Sequence, residues 1–402
     1  MFGVNRDLDA LMPHRDSLLS MPATREPASL LAVDRAVFEL RRGRAVALAA
    51  GDGARALVMA AEGVSEDTLA DLADLAGNRP DFAITRRRAE VLGLIAKADG
   101  TGNLGDEDAV LSLSLDDQLN AESVMRLADP LAKAPSKELK AAGIKAVPTH
   151  GTETAAVGLT KIARLLPAAL VAPITDPDSA DLAGWVARRN LILVDAGDVF
   201  QYERTAARTL ARVSDARVPL EDAENTRILA YRPQDGGLEH LAIVIGDPQP
   251  HEAALVRIHS ECFTGDLLGS LRCDCGDQLR GAIQAIAASG AGVLLYLAQE
   301  GRGIGLVNKL RAYTLQDRGL DTLDANEMLG YDADERVYLP AAEMLKSLGL
   351  KQVKLLTNNP DKVTDLSRLG IDVVERVPHA FPSNKHNEQY LETKKVKGGH
   401  LF

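Results

Sequence analysis

The chain has 402 residues and a formal net charge of −11, so it is long enough for two or three domains. The acidic charge disfavours a general nucleic-acid or anionic-membrane surface. No apolar run reaches the roughly 18 residues of a membrane span, and the first twenty residues lack the apolar core of a signal peptide. We therefore expect a cytoplasmic protein without nucleic-acid or membrane partners.

The first half predicts a leader followed by an α/β domain. Residues 1–30 contain Pro13, Pro22 and Pro27 without a regular period, and we expect them to be poorly ordered. Helix and strand patterns then alternate. Helices are predicted over residues 35–42, 67–76 and 179–189, and strands over 45–50, 56–61, 169–174 and 191–195.

In the second half, predicted helices and strands alternate more regularly. A helix predicted over 201–213, followed by a polar turn, places the domain boundary near residue 205 and gives domains 31–204 and 205–402. Further helices are predicted over 278–289, 305–318, 340–348 and 360–370, and strands over 255–258, 292–297, 352–357 and 371–375. This order predicts an α/β fold of the layered α+β kind, with two domains that each hold a mixed sheet and flanking helices.

The chain has three cysteines, Cys262, Cys273 and Cys275, and all of them lie in one short segment of the second half. A structural zinc site usually has four protein ligands, whereas three leave one tetrahedral position open for water. The spacing therefore favours a catalytic zinc. Two alternatives remain: His259 as a fourth ligand would make the site structural, or the cysteines are free thiols.

Polar residues run directly into the first cysteine at the end of an apolar strand. They are Arg257, His259, Ser260 and Glu261. Such a cluster indicates a binding site or a solvated edge strand, and the pattern alone does not distinguish the two.

The segment from Glu300 to Gly305 lies between a predicted strand and a predicted helix and contains three glycines. Glycines there let the backbone approach a ligand, and the N-terminus of the following helix favours an anion. We interpret the segment as a phosphate- or base-binding turn, with a plain tight turn as the alternative.

Two further polar segments accompany this turn. Residues 332–336 form a charged run. Such a run is either simply solvated, or its Asp and Arg act on one substrate as a base and a cation. Residues 357–362 open a helix with a capping Asn and a Pro, which suits an anion or is simply a good cap. Cations spread over this half predict a pocket for a triphosphate: Arg257, Arg302, Lys309, Arg311, Arg336 and Lys362.

The segments RIHSECFTGD, SLRCDCGDQL, QEGRGIGL, YDADER and LLTNNPDK, in this order and spacing, closely resemble the GTP cyclohydrolase II family of riboflavin biosynthesis. The resemblance covers roughly residues 205–402. It implies hydrolysis of GTP to 2,5-diamino-6-hydroxy-4-(5-phosphoribosylamino)pyrimidine, formate and diphosphate. It also implies one zinc ion per subunit, magnesium with the triphosphate, and a homodimer.

The resemblance assigns the three cysteines as zinc thiolates, with water at the open position attacking guanine C8. Asp334 matches the family's proton acceptor, Arg336 its nucleophile toward the α-phosphate, and Tyr313 a tyrosine near the reacting base. Because a guanidinium is almost always protonated, a purely electrostatic role is the alternative for Arg336. The GTP-contacting positions are Arg257, Ile258, His259, Ser260, Glu261, Gln278, Glu300, Gly301, Arg302, Thr322, Thr357 and Lys362.

The first half resembles 3,4-dihydroxy-2-butanone-4-phosphate synthase, which is fused to this enzyme in many bacteria. The stretch THGTETAAV at residues 149–157 resembles a degenerate form of the synthase's GHTEAAVDLARLAGL segment. The synthase's catalytic histidine falls at Thr152, with His150 close by. The acidic DEDRENEGD loop is replaced by AGDGARALV at residues 50–58, which leaves too few carboxylates for a divalent ion.

We therefore expect a degenerate first domain that keeps the synthase fold, has lost its reaction and serves as a scaffold or dimerisation unit. The alternatives are a bifunctional enzyme that also makes 3,4-dihydroxy-2-butanone 4-phosphate and a catalytically silent GTP-binding regulatory homologue. A variant reaction that opens the ring but retains formate is a further alternative.

Overall fold

The computed structural model describes residues 26–95, 110–114, 118–132, 143–249, 253–388, 392 and 395–396. They form two seven-stranded sheets with flanking helices, which confirms the predicted mixed α/β class. Residues 1–25 of the predicted leader lie outside the described residues. The predicted helix over 35–42 begins earlier, at Glu26, inside the predicted leader. No helix in the described part of the chain is long and apolar enough to cross a bilayer.

The first sheet has the strand order β5-β4-β3-β6-β2-β1-β7. All its neighbours are antiparallel except β1 and β7. Its strands are β1 (Val46–Ala49), β2 (Arg55–Ala60), β3 (Asp81–Thr85), β4 (Val110–Ser114), β5 (Gly143–Ala146), β6 (Ala168–Pro173) and β7 (Leu193–Asp195). The helices of this half are α1 (Glu26–Arg41), α2 (Glu66–Ala76), α3 (Arg86–Val91), α4 (Ala121–Ala128), α5 (Thr152–Ile162), α6 (Leu182–Arg188) and α7 (Ala196–Arg208).

Helices cover both faces of this sheet. Helices α1, α5 and α7 share one buried cluster with the sheet, whereas α2, α3, α4 and α6 share another. Strands buried on both faces read as continuous apolar runs, which is why residues 56–61 and 169–174 were recognisable as strands.

The second sheet has the strand order β14-β13-β11-β12-β10-β9-β8. Its strands are β8 (Ala211–Arg217), β9 (Thr226–Arg232), β10 (His240–Ile245), β11 (Ala254–Ser260), β12 (Gly292–Leu297), β13 (Gln352–Leu356) and β14 (Asp372–Val377). The helices of this half are α8 (Cys275–Ala288), α9 (Gly305–Asp317), α10 (Thr322–Met328), α11 (Leu339–Ser347) and α12 (Pro360–Arg368). Strands β14, β13, β11 and β12 are parallel, so their carboxyl ends lie along one edge of the sheet.

The predicted helix over 201–213 is wrong beyond Arg208. There α7 ends, and residues 211–217 form β8, in which every residue is exposed. An edge strand without a buried face has no apolar alternation, and its conformation is set by pairing with β9. The predicted boundary near residue 205 therefore falls inside α7.

The two halves share a core. Helices α9 and α10 belong to the second half by sequence, yet Ala312, Leu315, Ala325 and Leu329 are buried in the same cluster as Phe82 of β3. Burial of this apolar surface stabilises the arrangement of the halves.

Candidate functional site

The three cysteines converge at the carboxyl edge of the parallel strands. Cys262 lies two residues after the end of β11, Cys275 is the first residue of α8, and Cys273 lies two residues before it. All three Sγ atoms lie within 4.8 Å of one another, and Cys262 and Cys273 are 3.7 Å apart. Two thiolates on one tetrahedral zinc are separated by about 3.8 Å, whereas a disulfide needs about 2.05 Å. The spacing fits a metal site and not a disulfide.

A glycine closes the loop around the sulfur atoms. Gly265 lies in a short π-helical turn, Phe263–Leu267, and a Cβ there would come within 2.8 Å of Cys273 Sγ and 3.0 Å of Cys262 Sγ. Only glycine therefore permits this approach. In the described part of the chain these cysteines are the one group of three or more His, Cys, Asp or Glu side chains suited to a metal ion.

Lys309 on α9 stabilises negative charge on the first cysteine. Its Nζ donates to Cys262 Sγ (3.0 Å), Thr264 Oγ1 (3.0 Å) and Glu300 Oε1 (2.7 Å). Hydrogen bonds from the thiols of Cys273 and Cys275, together with Lys309, hold the pKa of Cys262 well below its usual range. The hydrogen bond to Cys262 raises the pKa of Cys273 to about 11. Lys309 therefore favours a thiolate at Cys262, and a bound cation would displace the remaining thiol protons of the cluster.

His259 does not belong to the group of potential metal ligands formed by the three cysteines. Its Nε2 lies 3.0 Å from both carboxylate oxygens of Asp266, and Asp266 also accepts from Tyr296 Oη (3.0 Å) and Cys262 N (3.0 Å). Burial lowers the pKa of His259, although Asp266 opposes this effect. In this geometry the alternative of His259 as a fourth metal ligand loses support. Asp266 and Tyr296 were not identified from sequence, because a lone Asp and a strand Tyr give no signal.

The glycine-rich turn after β12 has a left-handed backbone. Gly301, Arg302 and Gly303 have φ of 64°, 63° and 98°, which disfavours side chains at the two glycines. The carboxylate of Glu300 is buried and accepts from Phe263 N (2.6 Å) and Gly301 N (2.9 Å). Glu300 therefore links this turn to the cysteine loop. Arg302 donates to Ala333 O (3.3 Å).

Buried cations face the same cleft from β11 and α12. Arg257 donates to Leu356 O (3.0 Å) and to Gln278, and burial lowers its pKa to about 10. Lys362 donates to Ile258 O (3.2 Å). Two buried cations that line one cleft favour an anionic ligand there.

Asp334 and Arg336 form a bidentate pair at the rim. Arg336 Nε donates to Asp334 Oδ1 (2.8 Å) and Oδ2 (3.1 Å). Burial by itself would raise the pKa of the Asp334 carboxyl. The positive charges of Arg336 and Arg302 have the larger effect and hold this pKa below its usual range. A carboxylate with a low pKa is a weak base, so Asp334 accepts a proton more readily once Arg336 is drawn to another anion.

Most of the predicted substrate-contacting residues surround one cleft with the cysteines. Those that line it are Arg257, His259, Ser260, Glu261, Gln278, Glu300, Gly301, Arg302, Tyr313, Thr322, Arg336, Thr357 and Lys362. Ile258 does not line it, because its side chain is buried in the core and only its carbonyl meets Lys362. Asp334 does not line the cleft, but it pairs with Arg336, which does. Asn358 and Asn359 of the predicted anion-binding segment 357–362 also line it, together with residues not identified from sequence, among them Arg272, Gln316, Asn326 and His379.

Tyr313 lies beside the cysteine loop. Its hydroxyl is 3.3 Å from Thr264 Oγ1, and the guanidinium of Arg272 lies 4.9 Å from its ring centroid. Burial raises its pKa, so the phenol stays protonated and is available as a hydrogen-bond donor near the cysteines.

Comparisons with known proteins agree with the family resemblance of the sequence motifs. Residues 211–378 match the family description "GTP cyclohydrolase II". The chain is 55% identical over 377 residues to a GTP cyclohydrolase-2 from Azospirillum brasilense, covering 94% of this chain and 95% of that protein. It is 38% identical over 367 residues to a GTP cyclohydrolase-2 from Xylella fastidiosa, covering 91% and 86%.

Among solved structures, a two-domain 3,4-dihydroxy-2-butanone 4-phosphate synthase from A. baumannii is similar to this chain. The sequence identity is 19% and the TM-score 0.35, and the match covers 87% of this chain and 99% of that chain. The two cyclohydrolase relatives match far beyond the region that carries the cysteines, so the first half is shared with them as well.

Proposed function

This chain belongs to the GTP cyclohydrolase II family of riboflavin biosynthesis, and we propose that it performs the reaction with zinc at Cys262, Cys273 and Cys275. GTP would be hydrolysed to 2,5-diamino-6-hydroxy-4-(5-phosphoribosylamino)pyrimidine, formate and diphosphate. The observation that carries the proposal is the cluster of three sulfur atoms at the head of a cleft lined by buried cations.

The donor set suits zinc. Three thiolates are soft ligands that zinc prefers, and three protein ligands are typical of a catalytic site. Bound there, zinc would supply a Lewis acid that activates water for attack on guanine C8. Lys309 and the backbone N–H of Gly265 (3.4 Å from Cys262 Sγ) would orient and stabilise the thiolate of Cys262.

The triphosphate is assigned to the cationic side of the cleft. Arg257 and Lys362 are buried there, and Arg302 and Arg336 lie at its rim. The N-termini of α9 and α12 add backbone N–H groups that favour an anion. Magnesium would arrive with the triphosphate and offset its charge during diphosphate release. Arg336 then acts as an electrostatic partner of the α-phosphate or as the nucleophile that the family resemblance implies.

We assign proton transfer to Tyr313 and Asp334, and a substrate-binding role to His259. Tyr313 offers a hydroxyl next to the cysteine loop. Asp334 becomes the better proton acceptor when the α-phosphate engages Arg336, since loss of that ion pair raises its pKa. His259 acts on the substrate side: Asp266 holds one ring nitrogen, and Nδ1 has no hydrogen-bond partner among the described residues.

Product analysis tests this function. GTP is incubated with the full chain, zinc and magnesium, and formate, diphosphate and the pyrimidine are measured separately. We expect all three in equal amounts. Diphosphate and an opened ring without formate would indicate the formate-retaining reaction, and no product would indicate a silent GTP-binding homologue.

For the first half we propose that the synthase reaction is lost. The stretch that would carry its acidic loop forms the β1–β2 hairpin, where Asp52 is the one carboxylate and accepts from Ala54 N (2.9 Å). Thr152 occupies the histidine position and is buried at the start of α5. An assay of ribulose 5-phosphate consumption tests this; turnover above background would restore the bifunctional alternative.

A homodimer in the cytoplasm is part of the same proposal. An exposed apolar group around the cysteine loop and α9 supports self-association, since a patch of this kind commonly marks an interface. Its members are Phe263, Leu267, Leu268, Leu271, Val307 and Leu310. Light scattering of the full chain and of Leu268→Glu tests it, with a loss of dimer expected in the variant.

A further inference from the structure

The C-terminal end of helix α5, in the first half of the chain, lies against two loops of the second half. One is the glycine turn, Glu300–Gly303, and the other is the charged loop, residues 332–336. Lys161 Nζ lies 2.7 Å from Glu335 Oε1 and 3.3 Å from Asp332 Oδ2. Its side chain is 24% exposed and that of Glu335 is 21% exposed, so this ion pair is shielded better than an ordinary surface pair.

Glu335 connects the two loops. Its carboxylate accepts from Asp332 N (2.7 Å), and its backbone N–H donates to Arg302 O (3.1 Å). A Cβ at Gly303 would come within 3.0 Å of Glu335, which shows how closely the loops pack. Lys161 therefore neutralises the carboxylate of Glu335, the residue whose backbone N–H ties the charged loop to the glycine turn.

Arg164, three residues further along, holds the flanks of the glycine turn. Its Nη2 donates to Ala298 O (2.5 Å), just before the turn. Its aliphatic stem packs under Gly305, just after the turn, where a Cβ would lie 2.9 Å from Arg164 Cδ. Its carbonyl accepts from Asn308 Nδ2 (2.9 Å) on α9. Arg164 makes these contacts from a left-handed backbone with φ of 58°, a conformation that costs free energy and is retained only where surrounding contacts fix it.

The charge pattern explains why the loops need a partner from outside. Asp332, Asp334 and Glu335 place three carboxylates within four residues, and their mutual repulsion opposes a tight turn. Arg336 pairs with Asp334. Asp332 and Glu335 are instead neutralised from the first half, by Arg87 (2.8 Å to Asp332) and Lys161.

We propose that Lys161 and Arg164 are positioning residues for the cyclohydrolase reaction. They fix the two loops that present Arg302, Asp334 and Arg336 to the substrate, so the first half is a structural component of the active site. This inference rests on the proposed function. Because correct placement of reacting groups is worth large rate factors, loosening of these loops lowers turnover more than it weakens GTP binding.

The test compares Lys161→Met, which keeps the length of the side chain and removes its charge, with Lys161→Arg. We expect Lys161→Met to lower kcat about 10- to 100-fold, with KM for GTP changed less than about threefold and bound zinc unchanged. Lys161→Arg should recover most of the loss. Lys145→Met removes an exposed lysine of β5 in the same half and serves as the matched control with wild-type kinetics.

A double-mutant cycle tests whether Lys161 acts through Glu335. We expect Lys161→Met and Glu335→Gln to be non-additive in kcat, because each change removes the same ion pair. Additive effects, or a wild-type kcat in Lys161→Met, would overturn the proposal.

Hydrogen exchange without GTP separates this proposal from the proposed function. Protection of residues 298–305 and 331–337 should fall in Lys161→Met and stay unchanged in Lys145→Met. If the wild-type chain releases no product, the proposed function fails, and the exchange result still decides whether Lys161 orders the loops. Equal protection in Lys161→Met and wild type would refute the positioning role.

Discussion

Glu62 and Arg311 form a two-contact ion pair between the halves of the molecule. Arg311 Nη1 lies 3.0 Å from Glu62 Oε1, and Nη2 lies 3.2 Å from Oε2. Glu62 also accepts from Leu166 N (2.6 Å). Arg311 was predicted to line a triphosphate pocket, but it is absent from the residues that surround the cleft, and its guanidinium serves the contact between the halves.

The first prediction concerns Arg311→Ala. Both side chains of the pair are 18% exposed, so the change leaves Glu62 partly buried and unpaired. We expect a loss of about 1–3 kcal/mol in the free energy of unfolding, with KM for GTP within about twofold of wild type. Urea denaturation and steady-state kinetics measure the two effects. Lys362→Ala, which removes a cation from the cleft, should instead raise KM. An Arg311→Ala enzyme with a strongly raised KM would place Arg311 at the substrate.

The second prediction concerns Cys273→Ser. A serine hydroxyl is a much poorer zinc ligand than a thiolate, so bound zinc and formate release should both fall below about 5% of wild type while circular dichroism stays unchanged. Ser270→Ala in the same loop is the control and should keep full zinc content. One zinc per chain in Cys273→Ser would contradict the ligand assignment.

The third prediction concerns Lys309, whose ammonium contacts Cys262 Sγ and Glu300 together. Lys309→Met should weaken zinc affinity about 10- to 100-fold, as expected when a residue that orients a ligand is lost. Competition with a chromogenic chelator measures the affinity. Lys346→Met, which removes a lysine paired with Glu343 on α11, provides the comparison. Equal affinities in the two variants would mean that Lys309 has no influence on the metal.

The fourth prediction separates the two roles open to Arg336. Arg336→Ala should abolish diphosphate release. If the role is electrostatic, Arg336→Lys should keep a measurable fraction of it, because lysine supplies the charge without the planar fork. Diphosphate is measured directly over a single turnover. Wild-type release by Arg336→Ala would rule out both roles.

The fifth prediction concerns acid stability. Burial, with Arg257 nearby, lowers the pKa of His379 to about 4, and its Nε2 donates to Gln278 O (2.8 Å). The unfolded chain, with a histidine pKa near about 6.5, binds more protons between these values. Stability therefore rises with pH through this window and falls on acidification from about pH 6.5 to about pH 4, by about 1–3 kcal/mol.

His379→Gln checks this assignment, because a glutamine amide can still donate to Gln278 O without binding a proton. Urea denaturation at pH 7 and at pH 4.5 should show a smaller acid-induced loss in His379→Gln than in wild type. His386→Asn, at an exposed histidine, should leave the pH profile unchanged. Identical pH profiles for His379→Gln and wild type would show that His379 is not the source of the acid-induced loss of stability.

Sequence patterns located the second sheet best where strands are buried. Predicted strands over 292–297 and 352–357 agree with β12 and β13, since continuous apolar runs identify buried parallel strands. Residues 211–213 were predicted as helix but belong to strand β8. Residues 26–30 were predicted as part of the leader but form the start of α1. An exposed edge strand carries no periodic signal, and three prolines in the leader concealed the start of α1.

The sequence alone predicted which residues form the candidate site and what chemistry they suit. Cysteine spacing predicted a three-ligand cluster, and five short motifs placed the polar residues around it, because each motif holds its residues on one strand end or one turn. The tertiary structure decided which cations face the cleft and which face the other half. Arg311 pairs with Glu62, and Lys161 and Arg164 hold loops more than a hundred residues away in sequence. Contacts of this kind depend on how the two sheets and their helices pack, and no local pattern of residues encodes them.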